Sequence, residues 1–150
     1  MVPGQTLLNR LGTLLSTDVG SIASATLAAK AHLSQATFTP SLGLTIASFT
    51  EATFAGYAAL LGAVGNQQLF VDPLSGFQTV QLNEPAGGWH WATTTAVGLP
   101  QTIFGWYVTD NASGVVYGSG LFAIPFILSA AGQGLDIGQL RWQIPLTALQ

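Results

Sequence analysis

Thr102-Ile103-Phe104-Gly105-Trp106-Tyr107-Val108-Thr109 is followed by Asp110-Asn111-Ala112-Ser113-Gly114 and then by Val115-Val116-Tyr117-Gly118-Ser119-Gly120-Leu121-Phe122. Two runs of β-branched and aromatic residues flank a cluster of turn formers, which is the pattern of a β-hairpin. Ile103, Trp106 and Val108 break strict alternation, as in a strand buried on both faces or carrying a bulge. Asn111-Ala112-Ser113 also matches a glycosylation sequon, but on a hairpin tip Asn and Ser belong for turn reasons alone.

Outward from this hairpin the pattern stays β. Further strands are expected at Leu33–Phe38, Phe54–Leu60, Gln68–Val71, Phe77–Leu82, Trp89–Thr95 and Gly134–Ile144, the last in one or two pieces. Turn signals stand between them, among them Thr39-Pro40, Gly65-Asn66, Asp72-Pro73 and Gly87-Gly88. Gln68–Val71 is expected to return as Phe77–Leu82 in a second hairpin. Short strands at intervals of roughly ten residues read as an antiparallel β-sandwich or jelly-roll-like body. That body is expected over residues 33–150.

Residues 1–32 read as a helical or extended N-terminal arm. Leu7, Leu8, Leu11, Leu14 and Leu15 recur at helical spacing, with Asn9 and Arg10 on the other side. A leader this short needs a surface to lie on. That surface is either the domain's own core or a neighbouring subunit or particle. The start lacks the basic region of a signal peptide, and the apolar stretches Ala52–Gly65 and Leu121–Leu128 are too short for a helix to span a bilayer. Neither secretion nor membrane insertion is expected.

Composition narrows the function. Of 150 residues, 6% are charged and 49% hydrophobic, against about 25% charged in an ordinary soluble domain. Such content excludes disorder. Lys and Arg are confined to Arg10, Lys30 and Arg141. Nucleic-acid affinity rests on cations that neutralise phosphates, so no nucleic-acid partner is expected. No P-loop or dinucleotide fingerprint is present. With no Cys there is neither a disulfide framework nor a thiolate nucleophile.

The catalytic repertoire is thin. His32 and His90 are far apart in sequence, and the carboxylates are Asp18, Glu51, Asp72, Glu84, Asp110 and Asp136, most of them in expected turns. No G-x-S-x-G elbow occurs, and Gly118-Ser119-Gly120 reads as a close backbone approach within a strand. No catalytic residue, metal or cofactor is assigned, and an enzyme is not expected. Trp89-His90-Trp91 admits two readings. The indoles could stack on a sugar or aromatic partner, or the strand could aim both into a core and leave His90 outside. Phe104, Trp106 and Tyr107 are assigned to the core.

Phe49-Thr50-Glu51-Ala52-Thr53-Phe54-Ala55-Gly56-Tyr57-Ala58 and Ile103–Asp110 followed by Ser113-Gly114-Val115 resemble segments of small structural proteins of tailed bacteriophages. Thr39-Pro40 precedes the first segment, and a Phe122-to-Pro125 strand follows the second, as in those proteins. The likeness runs roughly from Leu33 to Ile144. It implies a virion protein of the capsid cement or decoration type, commonly a homotrimer, that binds the assembled major capsid protein on the capsid exterior and stabilises capsomer contacts. The resemblance brings no catalytic residues. On this reading the chain is made in the host cytoplasm, and Leu7, Leu8, Leu11, Leu14 and Leu15 form the contact stripe of the arm. Two alternatives stand beside it. One is a carbohydrate-binding β-sandwich using Trp89, Trp91 or Trp106; the other is a tail or baseplate structural component.

Overall fold

A computed structural model describes residues 29–41, 43–62, 68–71 and 78–144 of the chain. Among the described residues nine strands follow in order: β1 Ala29–Ser34, β2 Leu60–Leu61, β3 Gln68–Val71, β4 Gln78–Leu82, β5 Trp89–Ala92, β6 Gln101–Asp110, β7 Val116–Leu128, β8 Gly134–Ile137 and β9 Leu140–Ile144. They form a four-stranded sheet β2-β1-β6-β7, a three-stranded sheet β3-β4-β9 and a two-stranded sheet β5-β8. Every pairing is antiparallel. The architecture is mainly β and sandwich-like.

Alternation places the core. Ala29, Ala31 and Leu33 of β1 point inward with Trp106 and Val108 of β6, while Lys30 and His32 face the other way. Ile103 and Leu128 join them, and the two smaller sheets contribute Leu82, Trp89, Trp91, Leu135 and Leu140 to the same cluster. Trp89 and Trp91 lie inside, 1% and 2% exposed, while His90 between them is exposed. Their rings stack at 6.5 Å, and the Trp91 Nε1–H donates to the Ala58 carbonyl at 3.0 Å. Burying side chains of this size stabilises by about 1.5–3 kcal/mol each, so these indoles anchor the smaller sheet to the larger.

Both expected hairpins form, β3 with β4 and β6 with β7. The broken alternation of β6 is a register shift. Ile103 pairs with Phe126 and Gly105 with Leu121, so residues 122–125 of β7 are looped out of the ladder. Pro125 sits in this irregular stretch on an edge strand, where its missing N–H costs no ladder bond. β7 therefore continues past Phe122 to Leu128. Beyond the bulge Gly105 and Gly120 let the two strands close. A Cβ on Gly105 would stand 2.2 Å from the Gly120 carbonyl oxygen, and one on Gly120 would meet the Trp106 ring at 2.8 Å.

Two expected strands are corrected. Phe54–Leu60 is not a strand, although Leu60 itself belongs to β2. The chain turns there, with the Tyr57 N–H donating to the Phe54 carbonyl at 2.9 Å and Gly56 at a φ of 94°. An unbroken apolar run carries no period that separates a strand from a buried turn. The first strand runs over Ala29–Ser34 instead of Leu33–Phe38. Pairing with β6 thus begins at Ala29, opposite Asp110, inside the segment assigned to the arm.

Candidate functional site

Leu7, Leu8, Leu11, Leu14 and Leu15 lie outside the described residues. The tryptophans can be placed. Trp89, Trp91 and Trp106 are 1%, 2% and 7% exposed. None presents a ring face to solvent, so the sugar-stacking role considered for them is withdrawn. Their indoles pack the core instead, and Tyr107 is buried as well.

A polar network that links three segments of the chain lies on the outer face of β1 and β6. β2 covers only Lys30 and Ala31 of β1, so the next backbone groups along that edge need other partners. The Leu33 N–H donates to the Tyr57 hydroxyl at 3.1 Å, and the Leu33 carbonyl accepts from the Ala52 N–H at 3.0 Å. The Tyr57 hydroxyl donates in turn to Glu51 Oε1 at 2.8 Å. The same oxygen lies 2.7 Å from His32 Nδ1, and His32 Nε2 lies 2.9 Å from Thr109 Oγ1. Stacked rings cover the imidazole: His32 on Tyr107 at 4.6 Å, and Tyr107 on Phe49 at 4.1 Å. Burial pushes both phenols, Tyr57 and Tyr107, well above the usual tyrosine range. At Tyr57 the Leu33 N–H pulls the other way, and the charge of Glu51 raises both further.

Carboxylate, imidazole and hydroxyl in this order resemble a hydrolase triad, yet the geometry here serves the fold. Thr109 is 3% exposed on a central strand, where its hydroxyl has no approach for a substrate carbonyl. The network clasps the segment around Glu51 to β1 and β6. Sequence reading missed it because Glu51 and His32 are 19 positions apart and Thr109 is 77 from His32. No spacing motif links them.

His90 and Asp136 face one another across β5 and β8, Nδ1 to Oδ1 at 2.6 Å, both solvent-exposed. Among the described residues no group of three or more His, Cys, Asp or Glu could hold a metal ion.

The other feature is apolar. β7 forms one edge of the four-stranded sheet, and its second half presents Leu121, Ile124, Phe126 and Ile127 to solvent at 42%, 83%, 38% and 60% exposure. Edge strands are usually blunted by charge, but the sequence carries no charged residue from Asn111 through Leu135. The signal was readable in part, since Pro within an apolar run marks an edge strand.

No protein-family model matches this chain, and neither a curated protein nor a solved structure matches it.

Proposed function

We propose that the protein is a structural component of a tailed-bacteriophage virion, a capsid cement or decoration protein that binds the assembled coat from outside. The observation that carries this reading is a low-charge chain with an exposed apolar β7 edge: 6% charged residues overall and Ile124 at 83% exposure. A free cytosolic domain keeps itself soluble with more charge than this, whereas a protein packed against copies of itself and a coat lattice does not need it. The antiparallel sandwich-like body and the resemblance of Phe49–Ala58 and Ile103–Val115 to phage structural proteins support the same reading. The resemblance implies three copies per assembly.

In this mechanism the body associates with other copies, while residues 1–28 reach the coat through the leucine stripe. Several weak contacts to neighbouring coat subunits then act at high effective concentration, and the assembly is held more tightly than any one contact allows. Co-sedimentation with coat shells lacking the protein tests this. Full-length chain is expected to pellet with the shells, and a chain starting at Ala29, which keeps β1 whole, is expected to stay in the supernatant. Failure of the full-length chain to bind contradicts the cement reading. Unchanged binding by the shortened chain contradicts arm docking.

A further inference from the structure

We propose that Thr45–Glu51 is a strap that lifts off the outer face of the large sheet as a unit while the strands beneath stay paired, and that the Glu51 carboxylate is its latch. The device stands apart from the cement reading and holds with or without it.

Three features make the segment separable. It buries little of itself: every residue from Thr45 to Glu51 is exposed except Phe49, which is half-buried. Its local shape is self-contained, a 3-10 turn over Ile46–Ser48. There the Ser48 N–H donates to the Thr45 carbonyl at 2.9 Å, the Phe49 N–H to the Ile46 carbonyl at 3.1 Å, and the Thr45 N–H to the Ser48 hydroxyl at 3.2 Å. These bonds travel with the strap and survive its lifting. Finally, the sheet closes without it, since β1 pairs with β6 at every residue from Ala29 to Ser34. Segments with few buried apolar contacts open at a lower free energy than the whole fold.

The hold on the strap is concentrated at a few points. Ile46 rests on the β6–β7 turn, its Cδ1 3.0 Å from where a Cβ on Gly114 would stand. Phe49 lies flat on Tyr107 at 4.1 Å. At the C-terminal end the Thr50 carbonyl accepts from the Gln35 N–H at 2.8 Å, and the Ala52 N–H donates to the Leu33 carbonyl at 3.0 Å. Glu51 Oε1 then meets two groups from outside the strap, the Tyr57 hydroxyl and His32 Nδ1. Hydrogen bonds to an ionised group are about twice as strong as neutral ones, so this carboxylate carries a large share of the hold. Lifting uncovers the Tyr107 ring, 1% exposed when the strap is closed, and the His32 imidazole stacked on it.

Amide hydrogen exchange of the full-length chain, read residue by residue by NMR at one pH and several low urea concentrations, supplies the test. The Gln35 and Ala52 amides bond across the strap boundary. After correction for intrinsic rates they are expected to exchange at least about tenfold faster than the amides of β6, at rates that urea barely changes. Glu51→Gln keeps the side-chain shape and removes the charge. It is expected to raise both rates about fivefold and to leave β6 unchanged. Leu140→Val trims a fully buried core residue of β9, and is expected to speed exchange in β6 while the two strap reporters keep their rates. Wild-type Gln35 and Ala52 amides as slow and as urea-sensitive as those of β6 overturn the proposal, and that comparison needs no variant. So does a Leu140→Val variant that speeds strap and sheet alike. Unchanged strap rates in Glu51→Gln, or an equal rise in β6, overturn the latch.

Discussion

Glu51 carries more of the fold than its exposed position suggests. Its Oε1 receives the Tyr57 hydroxyl and faces His32, and Tyr57 in turn satisfies the Leu33 N–H beyond the end of β2. Tyr57→Phe leaves that N–H without its partner and is expected to cost about 1–3 kcal/mol, measured by urea unfolding. The two phenols also set an alkaline limit. Their folded-state pKa values are raised above the unfolded value of about 10, so the stability they contribute is complete below pH 10 and is lost as pH rises above it. In that window stability is expected to fall by up to about 1.4 kcal/mol per pH unit for each phenol. Unfolding midpoints at pH 9, 10 and 11 check the slope, and Tyr57→Phe should make it shallower. Asp110 acts at the other end. Burial opposes its ionisation, but the hydroxyl and N–H of Ser113, the Ala112 N–H and the Tyr117 hydroxyl outweigh that and hold its carboxyl below the usual range. Its contribution is present above the unfolded pKa of about 3.9 and is lost as pH falls below that. Asp110→Asn is expected to flatten the acid limb of the stability curve.

At the scale of elements, the β6–β7 hairpin depends on close backbone approach. Gly120→Ala places a methyl group against the Trp106 indole, and overpacking of this kind costs about 1–3 kcal/mol. Gly105→Ala is expected to cost more, because its Cβ meets the Gly120 carbonyl, which moves only with the strand. Calorimetric midpoints of the two variants check the order. This hairpin was also the most legible part of the sequence, since Asp110–Gly114 forces a return and the flanking residues favour pleated structure. The first strand was harder to see. Ala29 and Ala31 are weak β-formers, and their place in the sheet comes from packing against Val108 and Trp106. Phe54–Leu60 misled for the opposite reason: its apolar residues are there to bury Phe54 in the core while Gly56 reverses the chain. Trp89-His90-Trp91 was readable in part: alternation put both indoles on one face and the histidine on the other, and the packing of the sheets shows that the indole face is the buried one. The clasp of Glu51, His32 and Thr109 was not, because only tertiary folding brings those residues together.

For the whole molecule, the charge pattern and the strand pattern describe one kind of surface. Few ionic groups and a sheet edge with exposed isoleucines are the surface that the proposed cement role calls for. Salt should therefore matter little. Raising ionic strength from 0.05 to 0.5 M screens exposed charges but leaves apolar burial in place, so coat binding is expected to change by less than about threefold, as read by co-sedimentation. The proposed cement role is tested most directly by cryo-electron microscopy of phage particles from the source of this chain. Ordered density for the β-body is expected on the outer surface of the head, bridging neighbouring capsomers. Heads without such density, or the body found in the tail, would contradict it.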